Sequence, residues 1–348
     1  MPRAKVASAR QTRLLLAAAA GCITLAGAAH AQEPAQFYAN RTIAILMGTS
    51  PGGSYDIYGR VIANHLARQI PGKPNIIIEH MPGAGGAAAG NFIYGAGPQD
   101  GTKILLSHAL PLMEKLEDPK AIRYESKKLQ WLGAYDEIAQ VMAIWSGAGA
   151  TSLEDLKAKD LIFGSMATNH LSYQWAMVAK QALGAKYKVI SGYTTGGALN
   201  LAMERGEIAG WSVAWESIAV AKEDWIATKK VAIPLVFTLE RLKHLPDVPT
   251  LLELAEGPER DVVEFLANGT PIARAMALGP KVPADRVAAM RKAFATMMTD
   301  PEFLDEAAKR RLGIRFRTAE QTSALVSKII DAPTALVDRV KQTVSATR

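Results

Sequence analysis

Four turns hold the residues best suited to chemistry. One is Ser50-Pro51-Gly52-Gly53-Ser54, with Asp56 just beyond it. The next are Ser107-His108 and the stretch 164–170, which carries Ser165, Thr168 and Asn169. The last is Tyr193-Thr194-Thr195-Gly196-Gly197. Neither the 50–56 turn nor the 164–170 turn contains Lys or Arg. Glycine and hydroxyl residues at a helix start offer backbone N–H and O–H donors, which suit a small anion without a side-chain cation. A helix dipole adds only about 0.3–1 kcal/mol in exposed settings. Charge-assisted hydrogen bonds add about 1.5–3 kcal/mol each, so three or four reach micromolar affinity. Asp56 reads either as an acceptor for a ligand amine or hydroxyl, or as a capping carboxylate. His108 reads as a distal ligand contact or as a structural histidine. Trp211 and Ser212, with Trp215, follow Gly210 and read as a cleft wall or as core.

Other chemistries fit poorly. Gly210-Trp211-Ser212-Val213-Ala214 misses the small residues and the final Gly of a nucleophile elbow, leaving a serine hydrolase using Ser212 as a weak alternative. Neither Gly83-Ala84-Gly85-Gly86 nor the first turn is a Walker loop or a dinucleotide fingerprint. His65, His80, His108, His170 and His244 lack metal-binding spacing, and Cys22 is the sole cysteine. Glu204, Glu207 and Glu216 do not form an acid–base pair. No catalytic residue, metal or cofactor is expected.

These turns need a scaffold. Arg41–Met47 reads as a buried strand, and Tyr55, Tyr58, Ile62 and Leu66 mark one helix face after it. The unit repeats: strand 75–79, Gly-rich turn 80–86, small-residue helix 87–97, then strand 103–107. A second set follows, with strand-like runs in 131–145, a capped helix start at Thr151-Ser152, and strands at 161–163, 187–190 and 231–238. Strands alternating with helices imply largely parallel α/β sheets. Two such lobes facing each other would gather several helix N-termini around one cleft.

Composition agrees. The chain has 348 residues, 49% hydrophobic and 21% charged, which suits two globular lobes. Arg3, Lys5, Arg10 and Arg13, an apolar run over 14–29 and Ala29-His30-Ala31 read as a signal peptide, residues 1–31. Those four cations make up more than half of the net charge of +7, so nucleic acid is not an expected partner. A periplasmic or secreted protein is expected.

Several segments together resemble the solute receptors of the tripartite tricarboxylate transporter family, also called Bug proteins. They are Ser50-Pro51-Gly52-Gly53-Ser54-Tyr55-Asp56 with Arg60, Met81-Pro82-Gly83-Ala84-Gly85-Gly86 and Pro98-Gln99-Asp100-Gly101-Thr102. Ser191–Gly197, Leu245–Thr250, Val282–Arg286 and Asp300–Phe303 continue the series in family order. The family's apolar lead into its first Gly pair is replaced here by Gly48-Thr49-Ser50. The resemblance implies a type II periplasmic binding-protein fold: two α/β lobes, a central cleft and two crossover strands. It implies crossings near Val141 and Ile272, with 37–141 and 273–348 forming lobe 1 and 142–272 forming lobe 2. It implies a small carboxylate ligand (a di- or tricarboxylate, an aromatic acid or an acidic amino acid) held by backbone amides and hydroxyls. Lobe closure and transporter subunits of the tripartite type as partners are also implied, and a monomeric state is expected. A ligand sensor for a membrane signalling partner would share the same pocket.

Overall fold

The computed structural model describes residues 33–52, 54–107, 109–168, 170–219 and 222–345. The expected signal peptide (residues 1–31), Gly53, His108 and Asn169 lie outside the described residues, as does the side chain of Ser107.

Among the described residues, ten strands form two five-stranded sheets. Sheet one has the order β2-β1-β3-β10-β4 and sheet two β7-β6-β8-β5-β9. In sheet one, β1 (Thr42–Met47) lies parallel to both β2 (Asn75–His80) and β3 (Lys103–Ser107). In sheet two, β6 (Ile162–Ser165) lies parallel to β7 (Lys188–Ser191) and β8 (Gly210–Ala214). The expected parallel design is therefore only part of each sheet. β10 (Arg274–Leu278) runs antiparallel to β3 and β4 (Gln130–Asp136), and β5 (Gln140–Trp145) runs antiparallel to β8 and β9 (Val231–Val236). These reversed strands are the ones on which the chain passes between sheets.

Apolar strands buried on both faces explain the sheets. Ile43, Ile45 and Met47 point into one core with Tyr58, Ile62 and Leu66 of α1 (Ser54–Gln69). Leu46 and Leu105 point into another, shared with Trp175 and Val178 of α3 (Leu171–Leu183). α2 (Leu110–Leu116) also contributes Leu110 and Leu112 to that second core. Alternation at period two sends neighbours to opposite faces. The last helix, α4 (Thr334–Ser345), packs on both α2 and α3, so it ties the end of the chain to both sheets.

The first passage is short: β4 ends at Asp136 and β5 begins at Gln140, so Val141 already lies within β5. The Ile138 N–H donates to Thr270 O at 3.2 Å, which joins the two passages. Beside them lies a buried charged cluster. Arg274 reaches Asp136 Oδ2 at 2.5 Å and Glu216 Oε1 at 3.6 Å. The Tyr58 hydroxyl donates to Asp136 at 2.8 Å, and the Tyr55 hydroxyl donates to Ala273 O at 2.7 Å. Glu137 pairs with Arg315 and, at 3.6 Å, with Arg317. A buried pair of this kind is costly to break from one side, about 3–5 kcal/mol. It holds the passages in place.

Among the described residues, no helix is long and apolar enough to cross a membrane.

Candidate functional site

A cavity of about 670 Å³ opens between the two sheets. Its position follows from topology: the turns after β1, β2, β6 and β7 all leave the carboxyl ends of parallel strands, where α/β folds bind ligands. Ile138 and Ala273, from the two passages, lie at its base.

The sheet-one wall is built by a Gly-rich turn and α2. The turn contributes Ala84, Gly85 and Ala87, and α2 contributes Leu112, Met113 and Leu116. Gly85 has φ +63°, and an added Cβ would lie 3.3 Å from Met113 Cε. Glycine satisfies both constraints, the backbone conformation and the close approach. Glu117 and Ile122 complete this wall.

The sheet-two wall holds more polar groups: His170, Gln174, Tyr193 and Thr194, with Met166 and Leu171. His170 caps α3. The Ser172 backbone N–H donates to its Nδ1 at 3.1 Å. A backbone N–H can only donate, so Nδ1 is unprotonated and the ring proton sits on Nε2. Burial also pushes this imidazole below its ordinary value, which keeps it neutral. Thr195 caps the next helix, Gly196–Glu204, by accepting from the Ala198 N–H at 3.1 Å, and so sets the Tyr193-Thr194 turn.

The first Gly-rich turn lies apart from this lining. Ser50, Gly52 and Ser54 are exposed and do not line the cavity. Asp56 is buried, and its Oδ2 accepts from the Gly52 N–H at 3.1 Å and from Arg60 Nε at 3.2 Å. His80 donates from Nδ1 to Thr49 O at 2.8 Å, which turns its Nε2 toward Asp56 Oδ1 at 3.2 Å. Burial pushes the Asp56 carboxyl up, but Gly52, Arg60 and His80 together hold it below the usual aspartate value. The capping role is the one the contacts describe. The turn abuts the cavity turn, since a Cβ on Gly48 would sit 2.8 Å from Gly86 Cα.

The other expected residues divide clearly. Tyr193 and Thr194 line the cavity; Thr168, Gly196 and Gly197 lie beside its lining without joining it. Ser165 is fully buried and donates to Ile190 O at 3.2 Å. Trp211 and Ser212 are corrections: β8 is flanked by β6 and β5, so both are buried in the sheet. Trp211 Nε1 donates to Asn200 Oδ1 at 3.1 Å, and the Ser212 hydroxyl donates to Gln140 Oε1 at 3.3 Å. Buried there, Ser212 is not presented as a nucleophile. The lining from α2 and His170 was not expected as ligand contacts. The available signal was the apolar stretch 109–113 shortly after a strand. Among the described residues, no group of three or more His, Cys, Asp or Glu is placed to hold a metal.

The fold has known counterparts. A TctC solute-binding protein from Polaromonas, solved without ligand, is 19% identical, with a TM-score of 0.68 over 87% of this chain and 99% of its own. The periplasmic binding protein BugD is 19% identical, with a TM-score of 0.62 over 88% and 98%. MatC from Rhodopseudomonas palustris, solved with bound malate, is 17% identical, with a TM-score of 0.60 over 87% and 99%. A curated relative, a UPF0065 protein in the gbd 5′ region of Cupriavidus necator, is 23% identical over 93% of this chain and 95% of its own. No protein-family model matches the chain. The type II periplasmic binding-protein fold is thus established, and the likeness to TctC and Bug receptors runs along nearly the whole length.

Proposed function

We propose that this chain is an extracytoplasmic receptor that captures a small carboxylate between its lobes and delivers it to a membrane transporter of the tripartite tricarboxylate type. The observation that carries this is the cavity itself, which is lined from both sheets and based on the two passages between them. Such a site binds by closure about a hinge. Closure removes water and strengthens each remaining hydrogen bond. His170 Nε2–H, Thr194 and Tyr193 supply donors from the sheet-two side. MatC, of the same fold, is solved with malate, itself a small carboxylate.

In this reading residues 1–31 are a cleaved signal peptide, and the mature protein works in the periplasm as a monomer. Lobe 1 comprises 37–141 and 273–348, and lobe 2 comprises 142–272. The protein is a binding protein and performs no turnover; the buried setting of Ser212 removes the support for a hydrolase.

A thermal-shift screen of residues 32–348 against aliphatic, aromatic and amino-acid carboxylates tests the proposal. A ligand at about 100 times its dissociation constant adds about 2.7 kcal/mol. A shift for one class supports the receptor. No shift with any carboxylate removes it.

A further inference from the structure

The two walls of the cleft differ in chemistry, and the difference bears on which carboxylate fits. We propose that the cleft takes a monocarboxylate with an apolar body, an aliphatic chain or an aromatic ring, in preference to a compact di- or tricarboxylate. This rests on the cleft being the ligand site, as proposed above.

Leu112, Met113, Leu116 and Ile122 present the sheet-one side, beside the small Ala84 and Ala87. None of the described lining residues is Lys or Arg. The ionisable residue on that wall is Glu117, a carboxylate that repels a second ligand carboxylate. Seating an anion against apolar side chains without a paired donor is unfavourable. The sheet-two wall accommodates one anionic head. There His170 offers Nε2–H as a neutral donor, fixed by the Ser172 N–H on Nδ1, and Thr194 adds a hydroxyl. The head therefore sits against α3 and the 193–194 turn, and the body lies along α2. The cavity is also larger than a four-carbon diacid fills, and an apolar body occupying the rest removes water from Leu112 and Met113. Pockets of this size and lining orient a ligand with few polar groups and bind it through apolar contact.

Calorimetric titration of the mature chain with benzoate, octanoate, malate and citrate, one at a time, decides it. The expected result is binding of benzoate or octanoate at least tenfold tighter than of malate or citrate. Met113→Lys and Leu116→Lys place a cation on the apolar wall at half-buried positions. In whichever of these variants keeps the wild-type circular dichroism, the preference should shrink at least tenfold toward the diacid. Tighter binding of malate or citrate by the wild-type chain overturns the inference and leaves the receptor reading standing. Binding of none of the four overturns the inference, and the wider carboxylate screen then decides the receptor reading. Unchanged selectivity in a folded lysine variant also overturns the inference, because the α2 wall then does not touch the ligand.

Discussion

Two Gly-rich turns leave adjacent parallel strands of sheet one, and they have different fates. The turn after β1 is exposed and bound back on itself through Asp56, Arg60 and His80. The turn after β2 faces the cavity, with Gly85 against Met113. Their compositions are alike, so composition does not decide which one meets a ligand. The decision comes from what packs opposite. The β2 turn looks onto α2 and across to α3. The β1 turn has a buried carboxylate inside it that already takes the Gly52 N–H and Arg60. A turn N–H that already has an internal partner, as that of Gly52 has, is less available to an external anion.

Removing that carboxylate should have the largest effect. In Asp56→Ala the Gly52 N–H loses its acceptor and His80 Nε2 loses the carboxylate it faces, while Nδ1 keeps Thr49 O. Hydrogen bonds to a charged group are worth about 1.5–3 kcal/mol, and the exposed Arg60 adds little, so a loss of about 2–3 kcal/mol is expected. Urea unfolding measures it. Ligand affinity of the folded variant should stay within about threefold. A drop of tenfold or more would mean that the β1 turn touches the ligand after all.

The joint between the turns comes next. A Cβ at Gly48 would meet backbone at Gly86, which cannot rotate away. Gly48→Ala should push the turns apart at a cost of about 1–3 kcal/mol. Unlike Asp56→Ala, it should weaken stability and affinity together. A stability loss with intact affinity would show that the cavity turn is positioned by α2 alone.

The pattern of successes and misses in the sequence has a physical cause. Strand, turn and helix order was legible because each signal is local: apolar runs, glycines at chain reversals, and hydroxyl caps such as Ser152, which accepts from the Asp155 N–H. The antiparallel insertion of β10 between β3 and β4 was not, since its partners lie far away in sequence. Tyr193 and Thr194 were legible because their turn is polar and ends in a cap. Leu112 was not, because an apolar residue lining a cavity has the same sequence signature as one in the core, and it is only 7% exposed. Trp211 and Ser212 misled for the converse reason: a Gly-flanked polar residue looks accessible until β6 and β5 pair on either side of it.

A matched pair of glycine substitutions separates the turns further. Gly52 has φ +88° with open space around a Cβ, whereas Gly85 has φ +63° with Met113 close by. Alanine at either position should cost about 1 kcal/mol through backbone strain. Only Gly85→Ala should also weaken ligand binding, by about three- to tenfold, since its methyl group enters the lined space. Equal affinities for the two variants would erase the distinction between the turns.

The smallest effect is a titration. Asp56, held below its ordinary value, contributes stability that is present above pH 3.8 and lost as pH falls through its folded value. His170, which faces the β2 turn across the cavity, acts in a different window. Burial lowers its imidazole, so the unfolded chain takes up this proton more readily than the folded one. Its contribution is full above about pH 6.5 and declines as pH falls below that value, by less than about 1.4 kcal/mol per pH unit. His244 is lowered too, by burial first and then by Arg315. His170→Asn isolates one from the other, because asparagine preserves the α3 cap without the titration. Between pH 6.5 and 5 the variant should lose melting temperature more slowly than the wild-type chain. Parallel losses in the two proteins would leave His170 without a titrating role at the cleft.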